Sequence, residues 1–290
     1  MSATVPGRSP LLGEALRLEL EAGPLGFFRR GEGPPLVFSH GWLANANLWR
    51  EVVDMLADRF TCISLDLPLG SHRLAMPPDA DLSPSGCGEL IAAALDVLEL
   101  RDVTLVGNDS GGAYSQIAAA AHPERVGRLV LNSCETPYDE FPPPPFDGLP
   151  AAARDEAGLR ALLSVLRDPA NRRLEGAYGL LIKHPLDAEV WDGYALPALE
   201  DDGILHDVAK VMSSASSAPV HAAGQRLIES FRGSVLFAWS PEDRVFPPAN
   251  AARYAEALHD GRVALIEDAY SFTPEDQPAA LAAAIADFAG

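Results

Sequence analysis

The sequence has 290 residues, 48% of them hydrophobic, which is enough for one α/β core with an inserted subdomain. It contains 22 Lys and Arg residues against 41 Asp and Glu residues, and the formal charge of −19 disfavours nucleic acid and anionic lipid surfaces as partners. No apolar run approaches the roughly 20 residues of a membrane span, and the N-terminus lacks a secretory pattern. We therefore expect a soluble cytoplasmic protein.

The three cysteines, Cys62, Cys87 and Cys134, are widely separated along the chain. They show neither a CxxC spacing nor an even count, which argues against a disulfide framework or a zinc site. We expect them to be small buried residues, and we expect no metal and no cofactor. The expected partner is a small-molecule substrate, and the expected oligomeric state is a monomer or a homodimer.

The first half of the chain alternates strand-like and helical segments, which is typical of a mostly parallel sheet with helices on both faces. LRLELEA and GFFRR predict an opening antiparallel pair. PPLVFSH and TCISLDLP predict two further strands with a helix between them. Residues 82–98 predict a helix that begins at Ser83 and Pro84, and VTLVG predicts the central strand.

The second half changes character after the strand predicted at residues 127–133. The Pro-rich segment TPYDEFPPPPFDGLP is typical of a linker that leaves the core. Helical patterns without clear strands follow, until SVLFAWS, GRVALIED and a closing helix return to the core pattern. We therefore predict an α/β core at residues 1–136 and 233–290, with a helical cap inserted at residues 137–232.

The segment VTLVGNDSGG, residues 103–112, joins the central strand to a helix through small residues. Gly107 lies two positions before Asp109, and Gly111 lies two positions after it. A nucleophile elbow has this pattern, because its apex is strained and its neighbours must be small. The spacing therefore predicts Asp109 at the apex. An apex at Ser110 would place an asparagine where a small residue is needed, and a helix N-cap is the alternative role for Asp109.

The order of the motifs HGW, DLPLG, GNDSGG, HPERVGRLVL, WSPED and EDQP resembles that of the α/β-hydrolases. The resemblance implies an eight-stranded, mostly parallel sheet with an inserted helical cap. It also implies an oxyanion hole formed by the backbone amides of Trp42 and Ser110. The acid of the family corresponds to Asp243, and Glu135 is an alternative acid.

The family carries its catalytic base, a histidine, shortly after the last strand, and this chain departs from that pattern. It reads EDAYSFTPEDQP, with Ser271 in the histidine slot and Tyr270 where a glycine is usual. An aspartate at the elbow resembles epoxide hydrolases and haloalkane dehalogenases, in which the carboxylate attacks carbon and forms an ester. Hydrolysis of that ester needs a positioned base, which the sequence does not reveal.

Two classes of function remain open. The first is a hydrolase of a small apolar electrophile, an epoxide or an alkyl halide, with Asp109 as the nucleophile. The second is a homologue without hydrolysis, either a lyase or cyclase that uses Asp109 as an acid and base or a ligand-binding protein. The candidates for substrate contact are His40, Trp42, Tyr178, Tyr194 and Tyr270.

Overall fold

The computed structural model describes residues 7–290, which are organised around one eight-stranded sheet. The strands are β1 (Glu14–Leu20), β2 (Gly23–Arg30), β3 (Pro35–Ser39), β4 (Thr61–Asp66), β5 (Val103–Asn108), β6 (Val126–Asn132), β7 (Ser234–Trp239) and β8 (Gly261–Leu265). Their order in the sheet is β1-β2-β4-β3-β5-β6-β7-β8. Strand β2 is antiparallel to β1 and to β4, and every other pair is parallel. The predicted mostly parallel sheet and its opening antiparallel pair are thus confirmed.

Twelve α-helices connect and cover the strands within residues 7–290. They are α1 (Arg50–Leu56), α2 (Pro84–Val97), α3 (Ser110–Ala121), α4 (Leu149–Ala152), α5 (Glu156–Ser164), α6 (Ala188–Ala195), α7 (Pro197–Glu200), α8 (Asp202–Ser213), α9 (Ser217–Ser230), α10 (Pro248–Ala257), α11 (Thr273–Asp276) and α12 (Pro278–Ala289). Helix α2 begins as predicted, because Ser83 Oγ accepts a hydrogen bond of 3.2 Å from the Gly86 amide and Pro84 follows it. No helix in this range is long and apolar enough to cross a membrane.

Strands β4 and β5 are buried along their whole length, because they lie inside the sheet with helices on both faces. Since β3, β5, β6 and β7 run parallel, their carboxyl ends meet at one edge of the sheet. Asp109 directly follows β5, between the ends of β3 and β6. Ligands of open α/β sheets bind at such an edge, so Asp109 lies where a ligand site is expected.

The chain between β6 and β7 contains helices α4 to α9, and the structure shows no strand there. Its helices are fixed to the core at specific contacts. A buried hydrogen bond of 3.0 Å joins His72 Nε2 and Asp207 Oδ2 of α8, and Gly224 of α9 lies where an added Cβ would be 2.6 Å from Pro137. The described part of this insertion is therefore helical. Its boundaries at residues 137 and 232 stay a prediction.

The three cysteines are free and buried, as the sequence predicted. Among residues 7–290 there is no group of three or more His, Cys, Asp or Glu side chains placed to hold a metal ion.

Candidate active site

Asp109 lies at a sharp turn between β5 and α3, with φ 55° and ψ −143°. A non-glycine residue seldom adopts a positive φ, so the surrounding structure must hold it there. The neighbours leave no room for side chains: a Cβ on Gly107 would lie 2.6 Å from the Gly112 Cα, and a Cβ on Gly111 would lie 2.4 Å from the His40 carbonyl oxygen. The turn therefore has the backbone geometry of a nucleophile elbow with Asp109 at its apex.

The side chain of Asp109 does not make the usual N-cap bond. Its Oδ1 accepts a hydrogen bond of 2.6 Å from the amide of Ser110, the first residue of α3. An ordinary N-cap has extended backbone dihedrals and binds an amide further into the helix. The geometry at Asp109 therefore fits the elbow better than a simple cap.

The two amides expected to form an oxyanion hole converge beside Asp109. The Trp42 amide donates a hydrogen bond of 3.0 Å to Ser110 Oγ, and the Ser110 amide donates to Asp109 Oδ1. A Cβ on Gly41 would lie 2.2 Å from Asp109 Oδ1, so the carboxylate packs directly against the backbone before Trp42. Amides held in this way stabilise negative charge on an oxygen. The Ser110 amide thus binds Oδ1 of the Asp109 carboxylate.

Burial raises the pKa of Asp109 to about 6. Hydrogen bonds from the Ser110 amide and hydroxyl and from the Trp42 amide oppose this rise, and the negative charge of Asp243 adds to it. Asp109 is therefore mostly ionised at pH 7, but it takes up a proton in mildly acidic solution.

A cavity of about 100 Å³ lies beside Asp109. A volume this small suits a ligand of few heavy atoms. Its walls are mostly apolar, and they come from the core and from the insertion between β6 and β7. The wall residues include Trp42, Phe141, Phe146, Tyr178, Leu181 and Met212.

Two of the predicted substrate contacts, Trp42 and Tyr178, line this cavity. Their polar atoms are already bound within the protein. Trp42 Nε1 donates a hydrogen bond of 2.8 Å to Tyr114 Oη, and Tyr178 Oη donates one of 2.8 Å to the Leu43 carbonyl. Both residues therefore offer the cavity their rings.

His40 is fully buried and does not line the cavity. Its Nδ1 donates a hydrogen bond of 2.9 Å to the Gly41 carbonyl, while its Nε2 accepts one of 2.9 Å from the Leu67 amide. Burial lowers the pKa of His40 to about 4, so the ring is neutral at pH 7. It braces the backbone that carries the Trp42 amide.

Tyr194 and Tyr270 also lie outside the cavity wall. The Tyr194 hydroxyl donates a hydrogen bond to Glu275, which is paired with Arg50. The ring of Tyr270 lies 4.2 Å from the guanidinium of Arg244. Neither tyrosine is placed to touch a ligand beside Asp109.

Asp243 and Ser271 do come together, as the resemblance implied, but neither lines the cavity. Ser271 Oγ donates a hydrogen bond of 2.8 Å to Asp243 Oδ1, and the amides of Val245 and Phe246 bind the same oxygen at 2.9 and 2.8 Å. Asp243 Oδ2 is buried without a hydrogen-bond partner in the described structure, and burial raises the pKa of this carboxyl. None of the seven histidines lines the cavity.

Glu135, the alternative acid, lies on the cavity wall with Asp109. It is 2% exposed, and its Oε2 has no hydrogen-bond partner among residues 7–290. Burial raises the pKa of Glu135 well above its ordinary range, and the charges of Asp109 and Asp139 raise it further. The two candidate acids therefore lie in different places. Asp243 is hydrogen-bonded to Ser271, whereas Glu135 lines the same cavity as Asp109.

Sequence reasoning missed Tyr114, which is fully buried on α3 one helical turn after Ser110. Its hydroxyl accepts the Trp42 indole N–H, and its ring packs edge-on against Phe141. The only signal in the sequence was its spacing of four residues from Ser110, which places both on one helix face.

The alpha/beta hydrolase fold family matches residues 34–278. The uncharacterized hydrolase YugF of Bacillus subtilis is 25% identical over 267 residues, which cover 87% of this chain and 89% of YugF. Haloalkane dehalogenase DbeA from Bradyrhizobium elkani has a TM-score of 0.77 at 19% identity, with 94% of this chain and 96% of that chain covered. Epoxide hydrolase CorEH has a TM-score of 0.78 at 18% identity, with 94% and 97% covered. At such identities these two structures show the shared fold alone. Because the match spans most of its length, the chain belongs to the alpha/beta hydrolase fold family.

Proposed function

We propose that this protein is a hydrolase of small apolar electrophiles, epoxides or alkyl halides, and that the Asp109 carboxylate attacks carbon to form an ester. The observation that carries the proposal is the position of Asp109 at the apex of the elbow, on the wall of a small apolar cavity. The Ser110 amide, which donates to Asp109 Oδ1, and the neighbouring Trp42 amide support this role, because they can hold the oxygen that does not attack. The structural likeness to proteins named haloalkane dehalogenase and epoxide hydrolase supports this class.

Serine chemistry at the neighbouring residue is disfavoured. Ser110 Oγ accepts a hydrogen bond from the Trp42 amide, and no histidine of the described chain lines the cavity to remove the hydroxyl proton. A serine hydroxyl without such a base is a weak nucleophile. Asp109 needs no activation beyond its own ionisation, so the aspartate is the better candidate.

We further propose that residues 137–232 act as a cap over the elbow. Phe141, Phe146, Tyr178 and Met212 of this segment all line the cavity that Asp109 faces. A cavity closed by an inserted segment keeps bulk water from the reacting atoms.

A non-hydrolytic function is the second candidate, because Ser271 occupies the position expected for the base. A carboxyl whose pKa is about 6 can both take and give a proton near neutral pH, as a lyase or cyclase requires. Such a protein would form no covalent bond between Asp109 and its ligand.

Intact-protein mass spectrometry distinguishes the hydrolase from the non-hydrolytic candidate. The protein is incubated with propylene oxide or n-propyl bromide, and any adduct is mapped by peptide analysis. We expect an ester on Asp109 that is absent in Asp109→Asn and present in Glu140→Gln, a control that removes an exposed carboxylate. The proposal is wrong if neither electrophile gives an adduct or a hydrolysis product.

A further inference from the structure

The cavity needs a proton donor if the electrophile is an epoxide, and the obvious donors are occupied. Tyr178 Oη donates to the Leu43 carbonyl, and Trp42 Nε1 donates to Tyr114. Tyr194 lies outside the cavity and donates to Glu275, and the hydroxyl of Ser110, which lines the cavity, donates to Asp109. A leaving oxygen must therefore take its proton from another group.

Glu135 is the other carboxyl on the cavity wall beside Asp109. Its backbone carbonyl accepts a hydrogen bond of 2.7 Å from Gln116 Nε2 of α3, which fixes the residue just beyond the end of β6. Its Oε2 is buried without a hydrogen-bond partner in residues 7–290. A buried polar atom without a partner is costly, so this oxygen is suited to a ligand atom.

The charged groups that face Glu135 are carboxylates. In addition to burial, the negative charges of Asp109 and Asp139 raise the pKa of Glu135. The thiol of Cys134 and the hydroxyl of Tyr114, both neutral, lie nearby. Among residues 7–290, no Lys, Arg or His lines this cavity. Two facing carboxylates and a mostly apolar wall favour the neutral form of one of them. With Asp109 as the nucleophile, Glu135 is the group that holds the proton.

We propose that Glu135 is both the acid that opens an epoxide and the base that completes its hydrolysis, so that one pocket glutamate replaces the histidine of the family. This inference rests on the proposed function of Asp109. In the first step, Asp109 Oδ2 bonds to an epoxide carbon and the carbon–oxygen bond breaks. Its electron pair goes to the epoxide oxygen, which takes the Glu135 proton. The products are a hydroxyalkyl ester of Asp109 and a Glu135 carboxylate.

The second step returns both residues to their starting state. Water adds to the ester carbonyl and gives one proton to Glu135, while the amides of Ser110 and Trp42, which hydrogen bond to the Asp109 carboxylate, stabilise the oxyanion. The acyl–oxygen bond then breaks, and the departing diol oxygen takes the second proton of that water. Esterification also removes the Asp109 charge from the vicinity of Glu135, which favours the carboxylate that this step needs.

The test compares two electrophiles in wild type, Glu135→Gln and the surface control Glu140→Gln. Propylene oxide needs a proton to open, whereas n-propyl bromide releases bromide without one. In Glu135→Gln we expect ester formation from the epoxide to slow by about 100-fold or more, and ester formation from the bromide to stay within about threefold of wild type. The propyl ester should then persist longer than in wild type, because its hydrolysis lacks a base.

This crossed pattern separates a proton-transfer role from damage to the pocket, which would slow both alkylations alike. Equal slowing of both, or epoxide opening at the wild-type rate in Glu135→Gln, would overturn the inference while leaving Asp109 as the nucleophile. Failure of the wild type to give either an adduct or a hydrolysis product from both electrophiles would remove the proposed function as well. Glu135→Asp should restore part of the epoxide reaction, because it returns the proton at a longer distance.

Discussion

Ser271 Oγ donates a hydrogen bond of 2.8 Å to Asp243 Oδ1. The carboxylate that would orient a catalytic histidine is therefore bound by a hydroxyl that has no useful basicity near neutral pH. The other oxygen, Asp243 Oδ2, has no partner in the described residues and can accept a hydrogen bond from a larger side chain at position 271.

A histidine at position 271 should accelerate hydrolysis of the Asp109 ester. The variant Ser271→His with Tyr270→Gly is made in the Glu135→Gln background, where Glu135 cannot act as the base. The imidazole can then hydrogen bond to Asp243 Oδ2 and act as the general base, so we expect ester decay about 100-fold faster than in Glu135→Gln alone. Mass spectra of samples quenched at successive times measure the rate at which the propyl ester decays. Ser271→Ala with Tyr270→Gly is the control, since it removes the hydroxyl without adding a base.

Because Ser271 is fully buried, the melting temperature of each variant must also be recorded. A folded histidine variant that decays no faster than the alanine control would show that position 271 cannot deliver a base to the ester.

Removal of the Tyr178 hydroxyl should leave alkylation unchanged. Tyr178 Oη is bound to the Leu43 carbonyl, so Tyr178→Phe should cost about 1 kcal/mol in the free energy of unfolding but keep epoxide opening within about threefold of wild type. Chemical denaturation and single-turnover adduct formation measure the two effects. A loss of epoxide opening by about 100-fold would instead make Tyr178 the acid and remove that role from Glu135.

A side chain at position 41 should directly displace Asp109, the proposed nucleophile. A Cβ on Gly41 would lie 2.2 Å from Asp109 Oδ1 and 2.5 Å from its Cβ, so Gly41→Ala must displace the carboxylate. We expect loss of alkylation by both propylene oxide and n-propyl bromide, with a destabilisation of about 1–3 kcal/mol. Gly148→Ala is the control, because nothing lies within 4 Å of its added Cβ. Normal alkylation in Gly41→Ala would contradict this close approach.

The elbow could be predicted from the sequence because its demands are local. The spacing of Gly107, Asp109 and Gly111 reports the space that the turn requires, and the structure shows atoms within 2.7 Å of the added Cβ positions. The sheet was predictable for a similar reason, since buried strands and amphipathic helices leave periodic patterns.

The chemistry of the cavity could not be predicted in the same way, because it depends on partners that are distant in the chain. Tyr178 is bound by Leu43 and Tyr194 by Glu275, and these contacts decide which hydroxyls reach a ligand. Nothing in the residues around Glu135 indicates that its Oε2 is left without a partner on the cavity wall.

The raised pKa of Asp109 should make stability and reactivity respond to pH in opposite directions. Burial raises the pKa of this carboxyl from an ordinary value of 3.8 to about 6, so folding favours its neutral form. Its stabilising contribution is fully present below pH 3.8 and is lost as the pH rises through about 6. Asp109→Asn, which stays neutral, should therefore be more stable than wild type at pH 8, by up to about 3 kcal/mol, and the difference should vanish near pH 4. Urea unfolding at pH 4 and pH 8 measures this difference in stability.

Over the same pH range, alkylation of wild type by n-propyl bromide should fall as the pH drops through about 6, because the proton blocks the attacking carboxylate. A stability difference independent of pH would mean that Asp109 keeps an ordinary pKa, and alkylation would then persist well below pH 6.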